Sequence, residues 1–368
     1  MKVISVVGAR PQFVKLAPVA EAFAATNHEH VIVHTGQHYD IRMSDVFFAD
    51  LRIPNPEVHL GVGSGSHGVQ TGAMLASLDT VLDEHRPDWV LVYGDTNSTL
   101  AGAVSAAKMH LPVAHLEAGL RSFNRQMPEE HNRVLTDHAA DLLLAPTRVA
   151  MDNLAREGLA QRSVLVGDVM TDVCLRVRDA VHDLKPALAT DSDCGYLVST
   201  IHRAENTDDP ERLRTIVAAL ASLPLPVLLL AHPRLVARCR QYGIDLDAGV
   251  LRTTNPLPYQ EMIAAVVHSR GVVTDSGGLQ KEAFLLGRPC TTLRAETEWI
   301  ETLEGGWNIL APDVDQIAVA ATRSTPTGDR GTPYGDGRAS PRVVSVLAEH
   351  CRPHRPRPRR TSIGRGPR

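Results

Sequence analysis

The clearest guide to the architecture of this chain is residues 89–98, Trp89-Val90-Leu91-Val92-Tyr93-Gly94-Asp95-Thr96-Asn97-Ser98. An apolar run of strand length ends here in a polar turn that contains a glycine. The same pattern recurs along the chain, and helical patterns such as Val69–Glu84 and Glu211–Ala221 fill most of the gaps. Strands that alternate with helices predict parallel sheets covered by helices on both faces.

Twelve candidate strands fall into two groups of six, on either side of about residue 168. The first group is Lys2–Val7, His30–His34, Trp89–Tyr93, Pro112–His115, Leu142–Ala145 and Val164–Val166. The second group is Tyr196–Thr200, Val227–Ala231, Val250–Arg252, Val272–Thr274, Thr291–Leu293 and Asn308–Leu310. The predicted fold class is therefore α/β, with two doubly wound, Rossmann-like domains that face each other across a cleft.

The predicted domains are 1–167 and 168–335, each with one sheet. Residues 323–341 are rich in Gly, Pro, Ser and Thr and are typical of a loop. Residues 336–350 include a last helix, with a helical pattern over Val343–His350. Residues 351–368, dominated by Pro and Arg, are predicted to form a disordered basic tail.

The charge of the chain is unevenly distributed. Of 368 residues, 43% are hydrophobic and 22% charged, which is ordinary for a globular protein and excludes a wholly disordered one. The formal net charge of −4 includes seven arginines and no acid in residues 350–368, so residues 1–349 carry −11. A body this acidic is a poor candidate for wrapping nucleic acid. An anionic ligand would have to be held by a few placed cations.

Neither a membrane segment nor a cysteine framework is evident. The apolar runs fall short of the roughly 20 residues needed to span a bilayer. Met1–Gly8 lacks a signal-peptide pattern. Five scattered cysteines without a Cys-x-x-Cys pair indicate neither a disulfide framework nor a zinc site. We expect a cytoplasmic protein that binds neither membrane nor nucleic acid and uses no metal or other cofactor.

Six of the predicted strands run into unusual polar residues. Ligands of open parallel sheets bind outside the carboxyl ends of the strands. A single polar residue after a strand is more often part of a turn or a helix cap. Six such ends, drawn from both halves, predict one cleft between the domains. They are Gly8-Ala9-Arg10-Pro11-Gln12, Gly94–Ser98, Glu117-Ala118-Gly119, His202-Arg203, His232-Pro233-Arg234 and Asp275-Ser276-Gly277-Gly278.

Two of these strand ends suit a phosphate. Ser276, Gly277 and Gly278 precede a helical stretch, so backbone N–H groups at its start can face an anion such as a diphosphate. Glu282, one turn later, can hydrogen-bond sugar hydroxyls or be an ordinary exposed glutamate. Arg10 and Lys15 follow the first strand. They either offset phosphate charge or lie in solvent, although cations near a helix start oppose the helix dipole.

The candidates for acid–base chemistry are Asp95, Glu117, Glu129 and His202. Carboxylates that converge in a closed cleft have raised pKa values, which suits proton transfer. Pro128 followed by two glutamates is also typical of an ordinary first helical turn. His202 is a group that titrates near neutrality. No ligand cluster accompanies it, so the sequence indicates no metal site.

Seven motifs, in order and spacing, closely resemble the non-hydrolysing UDP-N-acetylglucosamine 2-epimerase family. The resemblance runs from residue 2 to about 349. The motifs are Gly8-Ala9-Arg10-Pro11, Thr35-Gly36-Gln37-His38, Gly94-Asp95-Thr96, His115-Leu116-Glu117-Ala118-Gly119-Leu120-Arg121, Pro128-Glu129-Glu130-x-Asn132-Arg133, His202-Arg203-x-Glu205-Asn206 and Thr274-Asp275-Ser276-Gly277-Gly278-x-Gln280-x-Glu282.

The resemblance implies a GT-B type fold, a homodimer, and interconversion of UDP-N-acetylglucosamine and UDP-N-acetylmannosamine. It implies that UDP is eliminated to give a 2-acetamidoglucal and is then added back. Asp95, Glu117 and Glu129 would be the acid–base carboxylates, and His202 would assist near the phosphate. The residues that would hold UDP are Arg10, His232, Ser276, Gly277, Gly278 and Glu282, with Lys15 and Arg234 as further cations facing the diphosphate.

Two departures from the family pattern leave the substrate open. Several bacterial members use Gln-His-x-x-Gln and a downstream Arg to bind a second substrate molecule as activator. Here residues 37–41 read Gln-His-Tyr-Asp-Ile and Gly61–Gly68 contains no Arg, which argues against activation by substrate. Residues 39–44, 121–124 and 202–209 are more similar to the branch that acts on UDP-2,3-diacetamido-2,3-dideoxyglucuronate. That uronate and a GT-B glycosyltransferase activity are the alternatives.

Overall fold

The computed structural model describes residues 1–37, 53–181, 184 and 195–351, without the side chain of Arg10. Two separate sheets form its framework, and every strand pairing in both is parallel. The prediction of an α/β fold with two doubly wound domains is thus confirmed. The predicted tail, from residue 352 onward, lies outside the described residues.

The first sheet has seven strands in the order β3-β2-β1-β4-β5-β6-β7, and the second has six in the order β10-β9-β8-β11-β12-β13. The strands of the first sheet are β1 (Lys2–Val7), β2 (Glu29–His34), β3 (Val58–His59), β4 (Trp89–Tyr93), β5 (Val113–Leu116), β6 (Leu142–Ala145) and β7 (Ser163–Leu165). Those of the second are β8 (Leu197–Thr200), β9 (Val227–Leu230), β10 (Leu251–Thr254), β11 (Gly271–Thr274), β12 (Cys290–Thr292) and β13 (Asn308–Leu310). In both sheets the strand order reverses beside the first strand, which opens a crevice where β1 meets β4 and where β8 meets β11.

The described helices cover the faces of these sheets. Those before β8 are α1 (Arg10–Ala24), α2 (His67–His85), α3 (Asn97–Lys108), α4 (Pro128–Ala139), α5 (Arg148–Arg156) and α6 (Val169–Val181). Those after β8 are α7 (Ala204–Thr207), α8 (Pro210–Ala221), α9 (Pro233–Tyr242), α10 (Tyr259–Val267), α11 (Gly277–Leu285), α12 (Ile317–Ala321) and α13 (Ala339–His350). No helix within the described residues is long and apolar enough to cross a membrane.

Apart from shifts of one or two residues in strand bounds, the structure differs from the predicted elements at two places. The first sheet has a seventh strand, Val58–His59, at its edge. Two residues carry no alternation that a sequence pattern can reveal. Helix α13 begins at Ala339 rather than Val343, within the stretch predicted to be a loop, because Asp172 accepts hydrogen bonds from the backbone N–H groups of Ala339 (2.9 Å) and Ser340 (2.7 Å).

Helix α13 packs on the first sheet's core, although it follows the second sheet in the chain. Val343 and Leu347 are fully buried in a cluster that includes Val3 and Phe13. The indole N–H of Trp89 donates to the carbonyl oxygen of Leu347 at 3.1 Å. The chain therefore crosses between the two domains twice, once between β7 and β8 and once before α13.

Small residues let α3 lie close to the first sheet, which sets the position of the turn before it. A Cβ at Gly102 would lie 2.9 Å from Cγ1 of Val92 and 3.3 Å from Val6. Ala103 and Ala106 are fully buried on the same helix. At its start, the Thr96 hydroxyl accepts from the backbone N–H of Thr99, a standard N-cap. Close packing and the cap together fix the turn that carries Asp95.

Candidate active site

Asp95 lies at the end of β4, beside the crevice of the first sheet. Its carboxylate forms an ion pair with Arg133 at 2.5 Å, and its backbone oxygen accepts from the side-chain amide of Asn132 at 2.9 Å. Both partners come from α4. Burial alone would lower the pKa of Arg133, but the carboxylates of Asp95 and Glu130 outweigh that and raise it. Arg133 therefore stays charged beside the Asp95 carboxylate.

Glu117, at the end of β5, forms an ion pair with Lys15 of α1. Its backbone has φ +71°, the left-handed region that residues with a side chain rarely adopt. The neighbouring Gly94 has φ +62°, and a Cβ there would lie 3.1 Å from Nζ of Lys15 and 3.2 Å from Oε2 of Glu117. Glycine at position 94 thus leaves room for the ion pair.

A buried network holds this turn from below. The ring of His115 spans from the Gly94 backbone oxygen (2.7 Å) to the carboxylate of Asp137 (2.6 Å). Asp137 also accepts from the backbone N–H of Gly119 at 3.1 Å and pairs with Arg121 at 2.8 Å. Burial alone would raise the pKa of Asp137, but His115 and Arg121 hold it below its ordinary value. The network ties the residues on either side of Glu117 to α4.

The pKa of Lys15 also depends on nearby carboxylates. Burial would lower the pKa of Lys15, but Glu117, Asp95 and Asp168 raise it. Lys15 is therefore a cation amid carboxylates. It was predicted to face a phosphate, and the structure places it against Glu117.

The two glutamates that begin α4 have different environments. Glu129, the predicted acid–base residue, is exposed. Glu130 is buried and accepts from the backbone N–H groups of Ser122 (2.9 Å) and Phe123 (3.0 Å) and from Arg133 (2.6 Å). Glu130 therefore fixes the loop before α4, and Glu129 is the member of the pair that is available to a ligand.

In the second domain, Asp275 organises the crevice where β8 meets β11. Its carboxylate accepts from the backbone N–H groups of His202 (3.0 Å) and Arg203 (2.9 Å) and lies 3.1 Å from Nδ1 of His202. Burial alone would raise the pKa of Asp275, but His202 and these donors hold it below its ordinary value. The rings of His202 and His232 lie 5.4 Å apart, so both imidazoles face the same space.

Helix α11 starts at this crevice with Ser276 as its N-cap. A Cβ at Gly277 would lie 2.6 Å from Oε1 of Glu298, so a larger residue there would displace the end of the Glu298 side chain. Glu282 is buried beside Tyr259, and burial raises the pKa of Glu282 to about 7. The sequence left open the alternative that Glu282 is an ordinary exposed glutamate, and the structure contradicts that alternative.

Two predicted cations are less directly placed. The guanidinium of Arg234 pairs with Asp208 at 2.6 Å and also bonds the Thr207 hydroxyl, and Asp208 is shared with Arg238. Arg10 begins α1, and its side chain lies outside the described part of the structure. Both remain predictions. Residues 38–44, including those that differ from the activator motif, also lie outside the described residues.

The two domains meet at the candidate site. Lys281 of α11 pairs with Asp168, and its Nζ lies 4.0 Å from Oε1 of Glu117. A cavity of about 450 Å³ lies close by, lined by Asn124, Gln126, Met127, Pro128, Arg203, Glu205, Arg294, Ala295 and Glu296. The Asn124 side chain donates to Glu296 across it at 3.0 Å. Glu129 follows one cavity residue in the chain, and His202 precedes another.

Sequence reasoning missed three residues that shape this site: Asp168, Lys281 and Arg294. Asp168 lies just beyond β7 and carries the strand-end signal used elsewhere. Lys281 stands inside a quoted motif, at one of its unassigned positions. Arg294 follows β12 by two residues. Among the described residues, no group of His, Cys, Asp or Glu could hold a metal ion.

Comparisons with known proteins give a consistent result. A family model described as UDP-N-acetylglucosamine 2-epimerase matches residues 21–348. The UDP-2,3-diacetamido-2,3-dideoxy-D-glucuronate 2-epimerase of Pseudomonas aeruginosa is 46% identical over 359 residues, which cover 95% of this chain and 100% of that protein. The UDP-N-acetylglucosamine 2-epimerase of Methanocaldococcus jannaschii is 39% identical over 363 residues, covering 94% and 99%.

Solved structures of this kind superpose on the whole framework. The M. jannaschii UDP-GlcNAc 2-epimerase in complex with UDP-GlcNAc and UDP has a TM-score of 0.83 at 38% identity, covering 95% of this chain and 100% of that one. The Neisseria meningitidis UDP-GlcNAc 2-epimerase bound to UDP-GlcNAc has a TM-score of 0.85 at 26% identity, with the same coverage.

Proposed function

Because this chain belongs to the UDP-N-acetylglucosamine 2-epimerase family, we propose that it inverts C2 of UDP-N-acetylglucosamine to give UDP-N-acetylmannosamine without hydrolysis. One observation carries the proposal. Asp95 and Glu117 converge with Lys15 at the edge of the first sheet, and α11 of the second domain, which starts at Ser276, reaches the same carboxylate through Lys281.

The chemistry needs an elimination, since C2 of the ring has no adjacent carbonyl to acidify its proton. A base takes that proton, the C1–O bond breaks, and UDP leaves with the bonding electrons. The product of this step is a 2-acetamidoglucal with a C1–C2 double bond. Protonation of C2 on the opposite face and attack of the UDP oxygen at C1 then give the epimer.

The site offers a group for each part of this reaction. Asp95, Glu117 and Glu129 supply the acid–base carboxylates. In the second domain, we assign His202 and His232, whose ring centroids lie 5.4 Å apart, to the departing diphosphate, which gains negative charge. The remaining contacts to UDP are assigned to Arg10, Ser276, Gly277, Gly278 and Glu282. Arg234, already paired with Asp208, adds positive charge at longer range.

The glucal must be kept from water, because loss of the glucal before UDP is added back would turn epimerisation into hydrolysis. Contacts between the domains already cross the cleft at Asn124–Glu296 and Lys281–Glu117. Closing of the domains on the substrate supplies the exclusion. The partner we propose is therefore a UDP-sugar, taken up by a cytoplasmic homodimer. Light scattering at several protein concentrations tests the dimer.

A second candidate substrate is UDP-2,3-diacetamido-2,3-dideoxyglucuronate. The P. aeruginosa relative named for it is 46% identical along its whole length. Arg203 and Arg294 line the cavity between the domains, and guanidinium groups suit a sugar carboxylate. Arg203 forms no ion pair among the described residues, whereas Arg294 pairs with Glu298 at 3.0 Å. The carboxylates of Glu205 and Glu296 also line the cavity.

Product analysis tests the proposal. The enzyme is incubated with UDP-N-acetylglucosamine alone, and the products are separated by chromatography. We expect an equilibrium mixture of the two UDP-sugars. Free N-acetylmannosamine with UDP would instead indicate a hydrolysing epimerase, and no reaction until an acceptor is added would indicate a glycosyltransferase.

Parallel assays rank the two substrates. The enzyme is offered UDP-N-acetylglucosamine and the diacetamido uronate separately, and kcat/KM is measured for each. A higher value for the uronate, lost selectively in Arg203→Gln, would assign the second function. A higher value for UDP-N-acetylglucosamine, with little effect of Arg203→Gln on the ratio, supports the first.

A further inference from the structure

Lys281 is a buried cation that the reaction outlined above does not use. It lies on α11 of the second domain with a side chain only 2% exposed. Its ammonium group pairs with Asp168, which is equally buried, and lies 3.9 Å from the ring centroid of Trp299. Burying a lysine is costly unless the charge is paired, so this position is strongly specified.

The ammonium group also faces the first domain. Its Nζ lies 4.0 Å from Oε1 of Glu117. That oxygen has no hydrogen-bond partner among the described residues, whereas Oε2 is bound by Lys15. Glu117 therefore lies between two lysines, one from each domain. Lys15 of the first domain forms a hydrogen bond with it, whereas Lys281 of the second domain does not.

Other charged and titratable groups surround this pair. Asp95 follows β4 on the Lys15 side. Asp168, before α6, acts on both Lys15 and Glu282. Glu282 of α11 and Cys174 of α6 also interact with the charge of Lys281, and the ring of Tyr334 lies 6.0 Å from its Nζ. Asp168 is the anion that offsets Lys281, so the field at Glu117 depends on the balance between these two residues.

Resting on the proposed function, we propose that Lys281 is a positioning residue that couples UDP binding to the acid–base state of Glu117. The nine residues of α11 carry both ends of this coupling. Gly277 and Gly278 begin the helix and Glu282 lies in its interior, and all three are UDP candidates. A UDP-induced shift of α11 moves the Lys281 ammonium relative to Glu117, and a closer approach favours the ionised carboxylate.

The test changes the charge around Glu117 in opposite directions. Lys281→Met removes the cation and keeps an unbranched chain against Trp299. Asp168→Asn removes the balancing anion and keeps an oxygen for the backbone N–H of Met170, which now donates to Oδ1 at 2.8 Å. Lys281→Arg keeps the cation. Lys2→Met, which breaks a partly exposed pair with Glu29, is the control.

The readout is the pH profile of kcat/KM for epimerisation, with UDP affinity measured by calorimetry. In Lys281→Met, the limb of the profile set by Glu117 moves to higher pH by about one unit, because a neighbouring opposite charge is lost. In Asp168→Asn the same limb moves to lower pH. The double variant Lys281→Met/Asp168→Asn returns towards the wild type, Lys281→Arg stays near it, and UDP affinity changes by less than about tenfold.

Several results would overturn the proposal. One is a limb of the pH profile that stays unmoved in both Lys281→Met and Asp168→Asn. Another is a limb that shifts in the same direction in both variants. A third is a fall in kcat in Lys281→Met that is equally present in Lys281→Arg. If Lys281→Met does not fold, Asp168→Asn still gives the expected shift to lower pH, and Lys281→Arg still gives the expected limb near that of the wild type. Absence of turnover in the wild-type enzyme would instead contradict the proposed function, so the two failures are distinguishable.

Discussion

At the scale of single residues, Glu117 is where the constraints of the fold meet. Its left-handed backbone costs on the order of 1–3 kcal/mol, which the surrounding structure must offset. The hydrogen bonds of Asp137 to His115 and to the Gly119 backbone supply that support. A strained, buried carboxylate held between two lysines is expensive for a merely structural role, and it suits proton transfer.

The three carboxylates proposed for acid–base chemistry give the first prediction. Asp95→Asn, Glu117→Gln and Glu129→Gln each lower kcat by about 10²–10⁴-fold, since each removes one proton-transfer group and keeps its shape. UDP affinity, measured by calorimetry, stays within about tenfold. Glu130→Gln is the matched control for Glu129, and we expect it to lower stability through the loop at Ser122 and Phe123. Wild-type rates in all three carboxylate variants would contradict the assignment.

Glu282 gives a prediction about pH and stability. Burial raises the pKa of Glu282 from 4.5 to about 7, so between these values the folded protein holds a proton that the unfolded chain has lost. The free energy of unfolding therefore falls as pH rises through that window. Glu282→Gln removes this loss of stability. We therefore expect the free energy of unfolding of Glu282→Gln, relative to that of the wild type, to be up to about 3 kcal/mol greater at pH 8 than at pH 4.

Chemical denaturation at both pH values measures the effect of Glu282→Gln. Glu211→Gln, an exposed change on α8, serves as the control and should show no such pH dependence. An equal stability difference between Glu282→Gln and the wild type at pH 4 and pH 8 would show that this carboxyl does not titrate as described.

At the scale of elements, α13 depends on a residue from α6. Asp172 accepts from the first backbone N–H groups of α13, as an N-cap does. We expect Asp172→Ala to lower the free energy of unfolding by about 1–2 kcal/mol, and Asp172→Asn, which keeps one acceptor oxygen, to cost less. Asp336→Ala removes an exposed ion pair with Arg342 and an exposed hydrogen bond from the backbone N–H of Arg338, and it is the control. Equal losses in Asp172→Ala and Asp336→Ala would contradict the capping role.

At the scale of the whole molecule, the body is acidic and the catalytic cleft uses few cations. The seven arginines of residues 350–368 fall beyond the matched family region, which ends at 348. We expect a chain ending at residue 351 to keep kcat and KM within about twofold of the full chain. Loss of epimerisation on this truncation would show that the tail contributes to the site.

The architecture was largely predictable, since β-branched runs alternate with helical patterns. Four strands have the predicted bounds, namely Lys2–Val7, Trp89–Tyr93, Leu142–Ala145 and Asn308–Leu310, and the other predicted strands shift by one or two residues. The edge strand Val58–His59 was missed because two residues show no periodicity. The early start of α13 was missed because its cap, Asp172, lies 167 residues away in sequence from Ala339.

The site was predictable only within each domain. Strand ends located Asp95, Glu117, His202 and Ser276, because parallel strands present their carboxyl ends at one edge. The contact between Lys281 and Glu117 joins residues of different domains, so it depends on how the sheets are docked. No local pattern reports that. The contact of Lys15 with Glu117 lies within the first domain, but it joins residues 102 positions apart, which a local pattern does not report either.

The central claim is that C2 loses and regains its proton while UDP is retained in the products. The most direct measurement is an incubation of the enzyme with UDP-N-acetylglucosamine in deuterated water, followed by NMR of the C2 position. The prediction is deuterium at C2 in UDP-N-acetylmannosamine and, as equilibrium is reached, in UDP-N-acetylglucosamine too. Epimerised UDP-sugar that keeps its original C2 hydrogen would contradict it.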